Sequence, residues 1–124
     1  MGKLTPEQKQ KVREKIKVGQ NKIHANKQKY DAFINDINYK IKVKGHDMED
    51  CDARIRDLKN WLKSGKITEA QFNKKEEVFK NKKSKHRAAL YALEQRKATK
   101  TREYQNTQAQ NEKKLKELQN KLNS

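Results

Sequence analysis

Helix breakers are almost missing from this chain. Pro6 is its only proline, the glycines stand at 2, 19, 45 and 65, and the 59 residues after Gly65 contain neither. Long helices are the natural outcome. Cysteine is nearly absent too. The single Cys51 excludes an intrachain disulfide and suggests a reducing compartment. No apolar run approaches the roughly 20 residues that cross a bilayer. The opening Met1-Gly2-Lys3-Leu4-Thr5-Pro6 lacks an apolar h-region. These absences predict a chain without a signal peptide or a transmembrane segment, cytoplasmic or associated with a nucleoid or virion, and not secreted.

Large core-formers are scarce as well. Phe, Ile, Leu and Val number 3, 7, 8 and 4, about 18% of 124 residues. Such a share with a high net charge is a mark of disorder. Against it, Ala, Glu, Lys, Leu and Arg make up close to half of the chain, the composition of long helices and coiled coils. Periodicity decides for helix. From Thr5 as N-cap, with Pro6 at N1 and Gln8 at N3 of a capping box, the positions Val12, Ile16, Gly19, Ile23, Asn26, Tyr30, Phe33 and Ile37 step 4, 3, 4, 3. Ile34 and Ile41 strengthen the later part, and Gly45 reads as the C′ residue. A second run, Met48, Cys51, Ile55, Leu58 and Leu62 flanked by Trp61, begins at Asp47 and ends at Ser64-Gly65. The third opens with a capping box at Thr68 and Gln71 and a staple from Ile67 to Phe72. Its seam continues through Phe79, His86, Leu90 and Leu93, weakens through Lys97, Lys100, Tyr104, Thr107 and Asn111, and recovers at Leu115, Leu118 and Leu122.

The expected fold is all-α, in one elongated domain over 1–124. Helix 1 is expected over about 6–44, helix 2 over 48–63 and helix 3 over 69–122, the last either continuous or broken near 97–103. Short connections make neighbours antiparallel. Only Phe33–Ile41, Met48–Leu62 and Phe72–Phe79 then form a short three-helix core, or helical hairpin, with long coiled-coil-like arms. An isolated arm with an apolar seam is marginal in water. This predicts a homo-oligomer or a partner covering Val12, Ile16, Ile23, Tyr30, Leu90, Leu93, Leu115, Leu118 and Leu122.

Leucines at 58 and 62, then Gly65, Ile67-Thr68, an acidic residue, Phe72 and the basic pair Lys74-Lys75 follow one another over residues 58–75. This stretch resembles the SHOCT family of short helical hairpins, with Ala70 and Gln71 in place of part of the acidic run. The resemblance implies a turn at 64–68 and an accessory helical module without a chemistry of its own.

What the chain has in excess is positive charge: 32 Lys and Arg against 16 Asp and Glu, a formal net charge of +16. Such a field attracts nucleic acid, anionic lipid or an acidic protein. Residues 1–44 hold 12 basic and 4 acidic groups, residues 45–65 hold 4 and 5, and residues 66–124 hold 16 and 7. The densest cluster is Lys80, Lys82, Lys83, Lys85 and Arg87 around His86. A second is Arg96, Lys97, Lys100 and Arg102, with Tyr91 and Tyr104 placed to stack on bases. Helix 1 carries a looser stripe through Lys9, Lys11, Arg13, Lys15, Lys17, Lys22, Lys27 and Lys29. These residues form either a phosphate-binding surface or solvated faces that keep long helices soluble. Lys outnumbers Arg 26 to 6. Lys acts as a point charge on phosphate, whereas Arg is the usual bidentate reader of guanine. Backbone binding to DNA or RNA without sequence preference is therefore expected, rather than base readout.

The patch His46-Asp47-Met48-Glu49-Asp50-Cys51-Asp52 holds metal-ligand residue types, but its spacing fits no zinc or EF-hand pattern. Its acids suit the first turn of a helix. His24 and His86 read as packing positions on or near the seams, and Cys51 as a small buried hydrophobe. No catalytic constellation, cofactor motif or metal site is read, which predicts a non-enzymatic protein. The alternative to nucleic-acid binding is a structural or adaptor protein docking on an acidic partner. In style, small Lys- and Asn-rich helical chains suit phages and mobile elements.

Overall fold

A heptad seam needs a second helix to bury it, and this chain supplies one to itself. A computed structural model describes residues 3–124. Two helices, α1 (Pro6–Lys63) and α2 (Glu69–Asn123), pack as a hairpin, and the described residues contain no strand.

The helix ends follow local chemistry. Thr5 and Gln8 close a capping box: the Thr5 amide donates to Gln8 Oε1 at 2.9 Å and the Gln8 amide donates to Thr5 Oγ1 at 3.2 Å. Thr68 and Gln71 repeat it at the same two distances. Between them α1 ends in a Schellman motif. Gly65 takes φ +75°, its amide donates to the Leu62 carbonyl at 3.2 Å, and the Lys66 amide donates to the Trp61 carbonyl at 2.9 Å.

The expected break at 45–47 does not exist. Helix 1 and helix 2 are one helix, so the three-helix core is not formed. A helical glycine costs only about 1 kcal/mol relative to alanine. The seam crosses Gly45 without interruption through Ile41, Lys44, Met48 and Cys51. Asp47 caps nothing; its carboxylate lies 3.7 Å from Lys44 Nζ and 3.7 Å from His86 Nδ1. α2 is likewise continuous through 97–103.

Two compact units result. The turn unit is Asn35–Lys97, and the terminal unit joins α1 up to Ile34 with Ala98–Ser124. In the turn unit Ile37 (2% exposed), Cys51, Leu58 (3%) and Phe72 are buried. In the terminal unit Val12 and Gln108 are buried, while Ile16, Ile23, Leu115, Leu118 and Leu122 are half-buried. The two ends of the chain, expected to be bare arms, therefore cover each other's seams. The residues assigned to an intermolecular interface serve this internal packing, with Tyr30 in the terminal unit and Leu90 and Leu93 in the turn unit. No bare arm is left in the terminal unit to call for a second copy.

Each helix alters its step where the units are divided. The less exposed positions run Phe33, Ile37, Ile41 in α1 and Leu93, Lys97, Thr101 in α2, two successive steps of four. A four-residue insertion into a heptad repeat locally unwinds the coil and shifts its register. Beyond it, α2 turns inward at Thr101, Tyr104, Gln108 and Asn111. Lys100 and Thr107, expected in the seam, are rotated out onto its flank.

Candidate nucleic-acid interface

The basic cluster at 80–87 is less free than its charge suggests. Lys80 Nζ lies 3.1 Å from Glu76, and Lys83 Nζ lies 2.7 Å from Asp52 across the hairpin. Lys82 sits 5.4 Å from the centroid of the Phe79 ring, within cation–π reach. Lys85 and Arg87 are exposed and, among the described residues, have no ion-pair partner. Of the second cluster, Arg96 is exposed and partnered, Lys97 is half-buried in the seam, and Lys100 lies 3.6 Å from Glu103. Arg102 is exposed with no ion-pair partner among the described residues. The two clusters fall in different units, Arg96 and Lys97 with 80–87, Lys100 and Arg102 in the terminal unit. Tyr91 is 64% exposed. Tyr104 stacks on Tyr30 instead of standing free, with ring centroids 4.1 Å apart and planes 5° from parallel.

The terminal unit holds a second arrangement. Residues 1–34 and 98–124 carry 15 Lys and Arg against 6 Asp and Glu, yet among the described residues Lys100–Glu103 is the one ion pair there. Its seam fixes where the lysines fall. Lys15, Lys22 and Lys29 each precede a seam residue (Ile16, Ile23, Tyr30), so they form a row down one flank of α1. In α2, Lys100, Thr107, Lys114 and Lys121 stand in the same relation to Thr101, Gln108, Leu115 and Leu122. Coiled coils ordinarily place opposite charges on facing flanks; here both rows are basic. The other flank carries Arg13, Gln20 and Lys27 on α1 against Gln105, Glu112 and Gln119 on α2.

Two depressions open between these lysine rows. One, of about 480 Å³, has Val18, Gly19, Asn111, Leu115 and Leu118 within Lys11, Lys15, Lys22 and Lys114, with Glu14 on its edge. The other, of about 280 Å³, has Asn26, Tyr30, Phe33, Tyr104 and Thr107 within Lys29, Lys100 and Glu103. A polar network underlies the second. Tyr30 Oη and Thr101 Oγ1 share a hydrogen bond at 2.7 Å. Gln108 Nε2 donates to the Ile23 carbonyl at 3.0 Å and to Tyr104 Oη at 3.3 Å. Asn26 Nδ2 and Gln108 Oε1 are buried without a hydrogen-bond partner.

Lys15, Lys22 and Lys29 belong to the stripe read on helix 1, and Lys100 to the second cluster; Lys114 and Lys121 of the facing row were not singled out in the sequence, and their seven-residue recurrence shows only against the seam. In the patch at 46–52, His46 Nδ1 lies 3.5 Å from Glu49, Asp52 holds Lys83, and Cys51 is buried and free. His24 is exposed and His86 half-buried. Among the described residues no three His, Cys, Asp or Glu side chains converge as a metal site, and no helix is long and apolar enough to cross a membrane. Comparison with protein-family models, curated proteins and solved structures gives no match.

Proposed function

We propose that this chain is a non-enzymatic, basic helical protein that binds nucleic acid mainly through the phosphate backbone, without reading sequence. The observation that carries the reading is unneutralised charge on ordered helices. The terminal unit leaves most of its lysines without a carboxylate, and in the turn unit, where Lys40, Lys44, Lys80 and Lys83 are paired, Lys85 and Arg87 of the dense cluster are among those left so. Fixed cations held in rows repel one another, and a polyanion relieves that repulsion while releasing its own counterions. The predominance of Lys suits phosphate contact rather than base recognition. The residues assigned from sequence, Lys80, Lys82, Lys83, Lys85, Arg87, Arg96, Lys97, Lys100 and Arg102, contribute unequally. Lys85, Arg87 and Arg102 act directly, Lys80, Lys83 and Lys100 must exchange an internal carboxylate for a phosphate, and Lys97 contributes least.

The test is a filter-binding titration with single-stranded DNA, duplex DNA and RNA at about 50 and 200 mM salt. Binding through 6–10 phosphates loses on the order of 10³–10⁵ in affinity between these conditions. Absence of binding to all three at the lower salt rejects the reading.

One observation favours a second reading, an adaptor on a protein assembly. Trp61 (41% exposed) and Val78 (48%) lie with Leu58 and Phe79 in an apolar depression edged by Arg54, Asp57 and Lys75. Exposed aromatic and aliphatic groups beside cations suit an acidic protein surface.

A further inference from the structure

We infer that the lysine-walled groove of the terminal unit is a binding site for single-stranded nucleic acid, with phosphates on the two lysine rows and bases on the floor between them. The inference rests on the nucleic-acid reading above and gives it a place apart from the cluster at 80–87, one that takes in Lys100 of the second cluster.

Three features select this occupant. The first is charge: Lys15, Lys22 and Lys29 face a row holding Lys100 and Lys114, and the nearby acids are Glu14 and Glu103, the latter already paired. Residues seven apart on a helix recur about every 10.5 Å. Lysine's flexible stem lets such a row follow a phosphate chain without matching its spacing.

The second is the accessibility of the bases. A duplex keeps its bases stacked and paired, so it meets this surface through its phosphates alone. A single strand can turn bases toward depressions of about 480 and 280 Å³.

The third is the floor. It alternates apolar surface (Gly19, Leu115) with amides and hydroxyls (Asn26, Thr107, Asn111) beside the stacked Tyr30–Tyr104 pair. An amphipathic protein helix would set its apolar stripe against these polar groups. Bases offer both π faces for stacking and polar edges for hydrogen bonding. Asn26 lines this floor, with its unpartnered Nδ2 buried beneath the surface.

The test is fluorescence anisotropy of labelled oligo(dT), oligo(rU) and duplex DNA against the full chain and three charge-matched triple variants. Lys15→Glu, Lys22→Glu, Lys29→Glu alters the groove. Lys80→Glu, Lys85→Glu, Arg87→Glu alters the cluster. Lys42→Glu, Lys59→Glu, Lys74→Glu controls for net charge. The groove variant replaces like charges across the flank by opposite ones, so its thermal midpoint should hold or rise. A loss of binding then does not report unfolding. It should lose at least tenfold in single-strand affinity, with a salt slope shallower by about 2, while the control stays within a few-fold of the unaltered chain. A 5-iodouracil strand should crosslink to peptides containing Tyr30 or Tyr104.

A groove variant that still binds single strands while the 80–87 variant fails would overturn the groove and leave the nucleic-acid reading standing. No binding by the unaltered chain would end both. Equal displacement of the strand by poly-glutamate of matched charge would overturn the assignment in favour of an acidic protein segment.

Discussion

The turn unit fills its seam with Ile37, Cys51, Leu58 and Phe72, and ties lysines to its own acids at Lys80–Glu76 and Lys83–Asp52. The terminal unit continues the same two helices but places Gly19, Asn26, Tyr30, Thr101, Tyr104, Gln108 and Asn111 at seam positions, and leaves its lysines largely unpaired. Apolar burial stabilises by roughly 25 cal/mol per Å². A polar seam position stabilises less, and a buried donor without a partner costs about 1–3 kcal/mol. In return, polar groups in a seam specify register. The difference teaches a division of labour within one hairpin. The turn unit buries more of the apolar seam and pairs four of its lysines, and the terminal unit has the more polar seam and a single ion pair among the described residues, which predicts that it is the less stable of the two. Regions at the low end of the stability range are those that ligands reorganise most readily.

The largest expected effect breaks the stable side of this comparison. Leu58→Ala removes a side chain that is 3% exposed and should destabilise the chain by about 2–5 kcal/mol. Leu115→Ala, at a half-buried position of the terminal unit, should cost clearly less. Urea unfolding followed by circular dichroism measures both. Equal losses would contradict the asymmetry.

The next effect sharpens it from the other side. Replacing Asn26 and Gln108 together by Leu removes the orphaned donor and acceptor and should stabilise the terminal unit by about 1–3 kcal/mol. Single-strand affinity should fall as the floor loses Asn26. Destabilisation would show that the network around Gln108 outweighs its unpaired atoms.

Much of this fold was legible in the sequence. Both capping boxes were written in Thr5/Gln8 and Thr68/Gln71, and the hairpin turn in Gly65. A glycine is a reliable stop only where the chain needs positive φ. Gly65 has it; Gly45 stays helical, and a Cβ built there meets nothing within 4 Å. Gly45→Ala should therefore stabilise by about 0.5–1 kcal/mol through helix propensity alone, seen as a raised thermal midpoint. A lowered midpoint would restore a special role for this glycine. The register beyond Leu93 was not legible, because Lys97, Lys100 and Thr101 offer no hydrophobic contrast from which to count. The facing of the two lysine rows followed from that register, so the lysines of α1 read as an undirected stripe and Lys114 and Lys121 were not singled out. Once the partner of α1's first half is known to be α2's last, the stripe becomes a wall.

The smallest effect concerns the charges of the turn unit. Lys83 and Asp52 are both partly exposed, and such pairs contribute about 0.2–1 kcal/mol. A double-mutant cycle on Lys83→Ala and Asp52→Ala should return a coupling in that range that shrinks as salt is added. A larger, salt-insensitive coupling would make this pair part of the structural core.

Hydrogen–deuterium exchange read by mass spectrometry, with and without oligo(dT), tests the division of labour most directly. Exchange should be faster in residues 6–34 and 98–123 than in the helices of the turn unit. Protection gained on adding the strand should concentrate in those two segments. Uniform exchange in the free chain, or protection confined to residues 80–87, would contradict it.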